Sequence, residues 1–192
     1  KILSDLEAKM KQFSLDDLGL PLDLENGVIG EMKGEINTVI GDVTIGKDSA
    51  IWPQVVVRGD INSIRIGDRT NIQDGAILHV THASEFCPSG YPLSIGNDVT
   101  VGHSAVIHAC TIMDTVLIGM GSIILDGAII NSNCMLAAGA LVGPGKELES
   151  GFLYVGSPAK KLRQLTDREL EFLVYSAKGY VDLKNRYMSS ES

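Results

Sequence analysis

Cysteine is scarce: Cys87, Cys110 and Cys134 are the only three in 192 residues, with no C-x-x-C spacing. They make no disulfide framework, which excludes a small stapled scaffold and points to a reducing compartment, the cytoplasm. Basic side chains are also few, 16 against 24 acids, for a net charge of −8. No basic stripe stands out, so nucleic acid and anionic membrane are excluded as principal partners. No apolar run approaches the roughly 18 residues of a membrane span. Residues Lys1 to Leu20 carry acids throughout and lack an apolar stretch, so no secretory leader is expected. Aromatics make up 5% of the chain, too few to dominate a core.

Glycine, by contrast, is abundant, with 21 residues, and hydrophobic residues reach 44%. An aliphatic, glycine-rich chain of this kind points to a thin repetitive structure. Counting by six from Val39 gives Ile45, Ile51 and Val57. The series resumes at Ile66, Ile72 and Leu78, and again at Ile95, Val101 and Ile107. After one dropped residue it runs through Ile112, Ile118, Ile124, Ile130, Leu136 and Val142. A period of six fits neither a helix at 3.6 nor a strand at 2. It fits a parallel β-helix of hexapeptide repeats, three short strands per coil, with one aliphatic residue per strand facing the axis. Sixteen repeats make about five coils. The competing architecture is an antiparallel sandwich with fortuitous spacing.

The interruptions divide the chain. Residues 1–37 form an N-terminal segment in which Leu3, Leu6, Met10 and Phe13 suggest a short amphipathic helix. The repeats fill 38–145, with a short bulge around Arg58 to Ser63. From Leu78 to Ile95 is 17 residues where 6 would continue the coil, which marks an inserted loop near 81–93. Residues 146–192 are a linker and a C-terminal helix. Thr166 and Glu169 form its capping box, Leu165 and Leu170 its staple, and Leu170, Leu173, Val174, Ala177, Val181 and Tyr187 its apolar stripe.

All four histidines, His79, His82, His103 and His108, fall within 30 residues. The residues before His79 and His108 face inward, so these two face out. They are 29 residues apart; removing the 11 inserted residues leaves 18, one full coil. They should therefore stack, about 4.8 Å apart, close enough to share a metal. His103 lies around a corner, where a neighbouring copy could bring it to the same ion, and a cyclic trimer is the simplest closure. Three imidazoles leave an open position, which suits catalytic zinc. The plainer alternative for each histidine is an ordinary surface residue. Arg58 and Asp60 are candidates for an intersubunit ion pair. Gln73 could hydrogen-bond a metal-bound hydroxide, and Asp74 could orient a histidine or an arginine. The alternative for each is turn stabilisation.

The run Arg58-Gly59-Asp60, Asn71-Ile72-Gln73-Asp74-Gly75, Leu78-His79-Val80-Thr81-His82 and Val101-Gly102-His103-Ser104-Ala105-Val106-Ile107-His108 resembles the gamma-class carbonic anhydrase family, in particular its bacterial hexapeptide-repeat members. The likeness covers roughly residues 38 to 187. It implies a left-handed parallel β-helix, a homotrimer and three interfacial metal sites. By similarity, His79, His103 and His108 bind zinc, with iron or cobalt as alternatives, His103 coming from the adjacent subunit. Arg58 and Asp60 would pair at the interface, Gln73 and Asp74 would line the site, and Tyr180 would approach it. The implied reaction is reversible hydration of carbon dioxide to bicarbonate by a metal-bound hydroxide. One departure stands out. The glutamates that shuttle protons in the family are absent: Ile61 follows Asp60, and Val80-Thr81-His82 follows His79. His82 is a candidate substitute. Two other readings remain, a hexapeptide-repeat acyltransferase and a metal-binding homologue without turnover.

Overall fold

The computed structural model describes residues 22–24, 28–29 and 37–190. The strands are β1 (Leu22–Leu24), β2 (Val28–Ile29), β3 (Thr38–Ile45), β4 (Ala50–Ile51), β5 (Val56–Ile66), β6 (Asn71–Ile72) and β7 (Ile77–His79). They continue as β8 (Leu93–Ile95), β9 (Thr100–Val101), β10 (Val106–His108), β11 (Thr111–Ile112), β12 (Leu117–Ile118) and β13 (Ile123–Ile124). Last come β14 (Ile129–Ile130), β15 (Met135–Leu136), β16 (Leu141–Val142), β17 (Glu147–Leu148), β18 (Phe152–Val155), β19 (Lys160–Gln164) and the helix α1 (Asp167–Ser190).

From β7 to β18 each strand pairs in parallel with the strand three further on. β7, β10, β13 and β16 form one face. A second face holds β8, β11, β14 and β17. The third runs from β4 through β6, β9, β12 and β15 to β18. The long strand β5 bends across the first two faces, pairing with β7 at one end and β8 at the other. The result is the left-handed parallel β-helix of the hexapeptide-repeat proteins, of about six turns, followed by a helix. β1 pairs with β3 and β2 with β4, so the ladder reaches back before residue 38. β17 and β18 carry it past residue 145. The N-terminal helix suggested by Leu3 to Phe13 lies outside the described residues.

All sixteen residues of the six-period series are buried. Two positions before most of them sits a second buried residue, usually small: Ser49, Thr70, Ala76, Ala105, Ala128, Cys134 and Ala140 are examples. The triangular section is narrow, and these mostly small side chains fill the space where the backbone turns the corner, with Ile64 and Leu93 as larger exceptions. That places Cys110 and Cys134 in the wall rather than in any reactive setting. Burial pushes the Cys110 thiol far up and the Cys134 thiol up to about 11. Three positions before the aliphatic residue, the backbone turns with positive φ, as at Asp48, Arg69, Gly75, Asp98, Gly121, Gly127 and Asn133. Glycine, asparagine and aspartate tolerate that conformation best, which accounts for much of the glycine in the composition.

The antiparallel β18–β19 hairpin leads the chain back to α1. The capping box forms in both directions: the Glu169 N–H donates to Thr166 Oγ1 at 3.3 Å, and the Thr166 N–H donates to Glu169 Oε2 at 2.9 Å. α1 lies on the third face, against β4, β6 and β9. There even the outward residues Ala50, Asn71 and Thr100 are buried. The contact row on the helix is Leu173, Ala177 and Lys184, with Tyr180 between them. Val174, expected in the apolar stripe, is 56% exposed. It sits about 100° around the axis from Leu173, and the flat face of the solenoid touches only a narrow strip of the helix. Among the described residues no helix is long and apolar enough to cross a membrane.

Candidate metal centre

His79 and His108 end β7 and β10 in direct register, with Arg58 of β5 in the same row. The residue before each histidine is locked in the core, so the imidazoles project outward. His79 Nδ1 stands 3.1 Å from His108 Nε2, and the ring centroids are 5.2 Å apart. A carboxylate backs each ring. Asp60 Oδ1 lies 3.3 Å from His79 Nε2, and Asp126 Oδ1 lies 2.6 Å from His108 Nδ1. A carboxylate accepts, so each of those ring nitrogens carries the proton. With both rings neutral, the remaining two nitrogens, the pair that face each other, are both lone pairs. Such an arrangement repels unless a cation stands between or beside them. Carboxylate, imidazole and cation in sequence is the usual way a metal-binding histidine is oriented, so this donor set fits a divalent ion.

The surroundings favour a neutral His79 and ionised Asp60 and Asp126. Burial, then the charge of Arg58, holds the His79 imidazolium pKa below its ordinary value, which favours the neutral ring. Burial alone would raise the Asp60 carboxyl. The hydrogen bonds from Arg58 and His79 outweigh it, so its pKa is lowered. Arg58 Nη1 donates to Asp60 Oδ2 at 2.8 Å within the same chain. Asp126 behaves alike: burial works upward, and hydrogen bonds from Thr81 and His108 bring its pKa below the usual carboxylate value.

Asp126 was not among the sequence candidates. Ile107 of β10 pairs with Ile124 of β13, so the corner following β13 falls beside His108. Only that lap-to-lap register marks it out from other turn aspartates.

The other candidates gather at a different corner. His103 sits in the turn between β9 and β10, with Nδ1 2.9 Å from Asp74 Oδ2. Gln73 is buried and donates through Nε2 to Asn71 Oδ1 at 3.2 Å. Tyr180, on α1, lines the same cavity as Gln73; burial, then the charge of Asp74, raises its phenol pKa. Trp52, another residue the sequence reading passed over, sets its ring edge-on to both Tyr180 and Tyr187, with centroids 5.8 and 5.7 Å away. A cavity of about 530 Å³ between α1 and the third face opens here, lined by Gln73, His103, Met120, Phe172, Tyr175 and Tyr180 among others. One chain thus carries two separate clusters: Arg58, Asp60, His79, His108 and Asp126 in one, Gln73, Asp74, His103 and Tyr180 in the other. Among the described residues no group of three histidine, cysteine, aspartate or glutamate side chains is arranged to hold an ion within one chain. His82 is exposed, at the start of the inserted loop, and belongs to neither cluster.

Residues 109–144 match the bacterial transferase hexapeptide family of six repeats. Protein YrdA of Escherichia coli is 55% identical over 157 residues, which is 82% of this chain and 85% of that protein. The mitochondrial gamma carbonic anhydrase 2 of Arabidopsis thaliana is 46% identical over 155 residues, 81% of this chain and 55% of the plant protein. Among solved structures, a hexapeptide transferase family protein from Anaplasma phagocytophilum superimposes with a TM-score of 0.76 at 38% identity, covering 88% of this chain and 94% of that one. Repeat, fold and sequence agree: the chain belongs to the gamma-class carbonic anhydrase family of hexapeptide-repeat proteins.

Proposed function

We propose that the protein is a zinc-dependent carbonate dehydratase, with iron or cobalt as alternative metals, and that it works as a homotrimer. His79 and His108 of one copy and His103 of the next hold the ion. The observation that carries this reading is the pair of imidazole nitrogens facing each other at 3.1 Å with a carboxylate behind each ring. Assembly is supported by the surface around them. The outward row Val56, Ile77, Val106, Ile123 and Leu141 is aliphatic and in register, and Ile77 is 44% exposed. A second copy laid on that row covers apolar surface and brings a His103 corner towards the histidine pair.

The bound ion supplies a Lewis acid that activates water for attack on carbon dioxide. The chain does the rest. Asp60 and Asp126 fix the two rings, and Asp74 does the same for His103. Gln73, itself held by Asn71, presents an amide to orient the attacking water. Arg58 is positioned by Asp60 and carries the charge that attracts bicarbonate. His82 stands nearest to the missing shuttle carboxylates in sequence and takes the proton to solvent. Elemental analysis of anaerobically purified protein, run beside a stopped-flow assay of carbon dioxide hydration, tests the reading. Metal together with turnover is expected, and both should be lost in His108→Ala. Retained metal in that variant sinks the ligand assignment.

A second reading is favoured by the His103–Asp74 pair beside the apolar cavity, a base and its orienting carboxylate next to a cleft. On this reading the protein transfers acyl groups, as the description of a Bacillus cereus structural relative at 38% identity, a putative acetyltransferase, suggests. Saturable binding of an acyl-coenzyme A by a preparation free of metal would establish it. Metal without hydration activity would instead identify a homologue that keeps the site but not turnover.

A further inference from the structure

The inserted loop of residues 81–93 begins at the candidate site and grips it. Thr81 Oγ1 donates to Asp126 Oδ2 at 2.5 Å, while the other oxygen of the same carboxylate takes the His108 Nδ1 proton at 2.6 Å. Thr81 is itself held from two sides. Its amide and carbonyl pair with Tyr91 across the base of the loop, at 3.0 Å each way, and its carbonyl also accepts from Asn62 Nδ2 at 3.0 Å. The Tyr91 ring lies over Gly127, where an added Cβ would meet it at 3.2 Å. Asp126 is thereby fixed at both oxygens, from the loop on one side and the coil corner on the other.

We propose that Asp126 is a positioning residue for His108, and that the inserted loop sets it through Thr81. By accepting from His108 Nδ1, Asp126 selects the tautomer whose bare nitrogen is Nε2, the one aimed at His79. Without that carboxylate the ring is free to protonate at Nε2, which puts a hydrogen where an ion should bind. The Thr81 hydroxyl occupies the second carboxylate oxygen, so the carboxylate cannot swing away from the ring. The loop is therefore part of the histidine site. This inference rests on the metal reading given above, but its first readout needs no metal.

The test uses the full chain with ¹⁵N-labelled histidine, stripped of metal, above the ordinary histidine pKa of about 6.5. Imidazole nitrogen shifts report which ring nitrogen of His108 carries the proton. Wild type is expected to show Nδ1–H. Asp126→Ala is expected to lose that form, and Thr81→Val to show a mixture. Thr81→Ser, which keeps the hydroxyl, should restore it. A competition assay with a zinc chelator should show affinity falling about 10- to 100-fold in Asp126→Ala, less in Thr81→Val, and returning in Thr81→Ser. An unchanged tautomer and affinity in both Asp126→Ala and Thr81→Val overturns the proposal, and the threonine variant decides should the aspartate variant fail to fold. His108→Ala serves as the control. If it retains zinc, the metal reading fails, a result distinct from any change in the His108 tautomer.

Discussion

His79 and His108, 29 residues apart in sequence, meet ring to ring across a single lap of the solenoid, with Nδ1 of one 3.1 Å from Nε2 of the other. With both rings neutral, two bare nitrogens in that position make a site whose natural guest is positively charged. His103 lies at a different corner of the same molecule, against Asp74, so on the function proposed above a second copy has to supply it.

Metal removal should therefore lower stability without unfolding the chain. The core closes behind the histidines and uses none of them. Zinc at 1,000 times its dissociation constant is expected to add about 4 kcal/mol. Thermal melts with and without a chelator should differ in midpoint, while the far-ultraviolet spectrum of the stripped protein stays that of a folded β-structure.

Gly119 and Gly143 should respond oppositely to alanine. A Cβ on Gly119 would lie 2.4 Å from Ala138 N and 2.5 Å from Ala137 C, both backbone atoms of the next lap. Neither can move without parting the coils, so Gly119→Ala is expected to cost about 1–3 kcal/mol or more. Gly143 has nothing within 4 Å and no left-handed φ, so Gly143→Ala should be neutral or gain about 0.4–1 kcal/mol. Urea denaturation of both variants checks the contrast.

Lys184 anchors the far half of α1. Its side chain is 7% exposed, and Nζ donates at 2.8 Å to Asp48 on the β3–β4 turn. Asp48→Asn, which still tolerates the positive φ at that position, leaves the buried ammonium without its countercharge, whereas Lys184→Met keeps the packing and removes the charge. Asp48→Asn should be the more destabilising, by about 1–3 kcal/mol, below the range for a fully buried pair because Asp48 is half exposed. Equal melting temperatures for the two variants would contradict this.

Acid should loosen the start of α1. The Arg163 hydrogen bond, then the Thr166 backbone, holds the Glu169 carboxyl down to about 2, against an ordinary value of 4.5. A depressed pKa means the ionised form is favoured in the folded state. Its contribution is full above pH 4.5 and is lost as the pH falls towards 2. Carboxyl NMR titration should show Glu169 at the low value in wild type and markedly higher in Arg163→Gln.

The architecture was legible because one demand repeats. A narrow solenoid needs an aliphatic residue at each strand, from Val39 to Val142. The stacking of His79 on His108 was legible too, once the inserted residues were subtracted from the count. Asp126 was not. A turn aspartate in a glycine-rich corner looks like any other, and its neighbour lies 18 residues away. Trp52 was hidden for a related reason, since its partners Tyr180 and Tyr187 belong to a helix whose docking face no periodicity specifies. Val174 was misplaced because an aliphatic residue on a helix reads as inward, whereas a flat sheet covers only a strip.

Because each coil leans only on the coils before and after it, the molecule has no preferred length. Whole laps could be inserted between β16 and β18 without touching either histidine, although α1, which leaves the stack after β19, would then be shifted along the third face from its seat on β4, β6 and β9. The same freedom ends abruptly between β5 and β13, where losing one lap would pull Arg58, His79 and Asp126 out of alignment together.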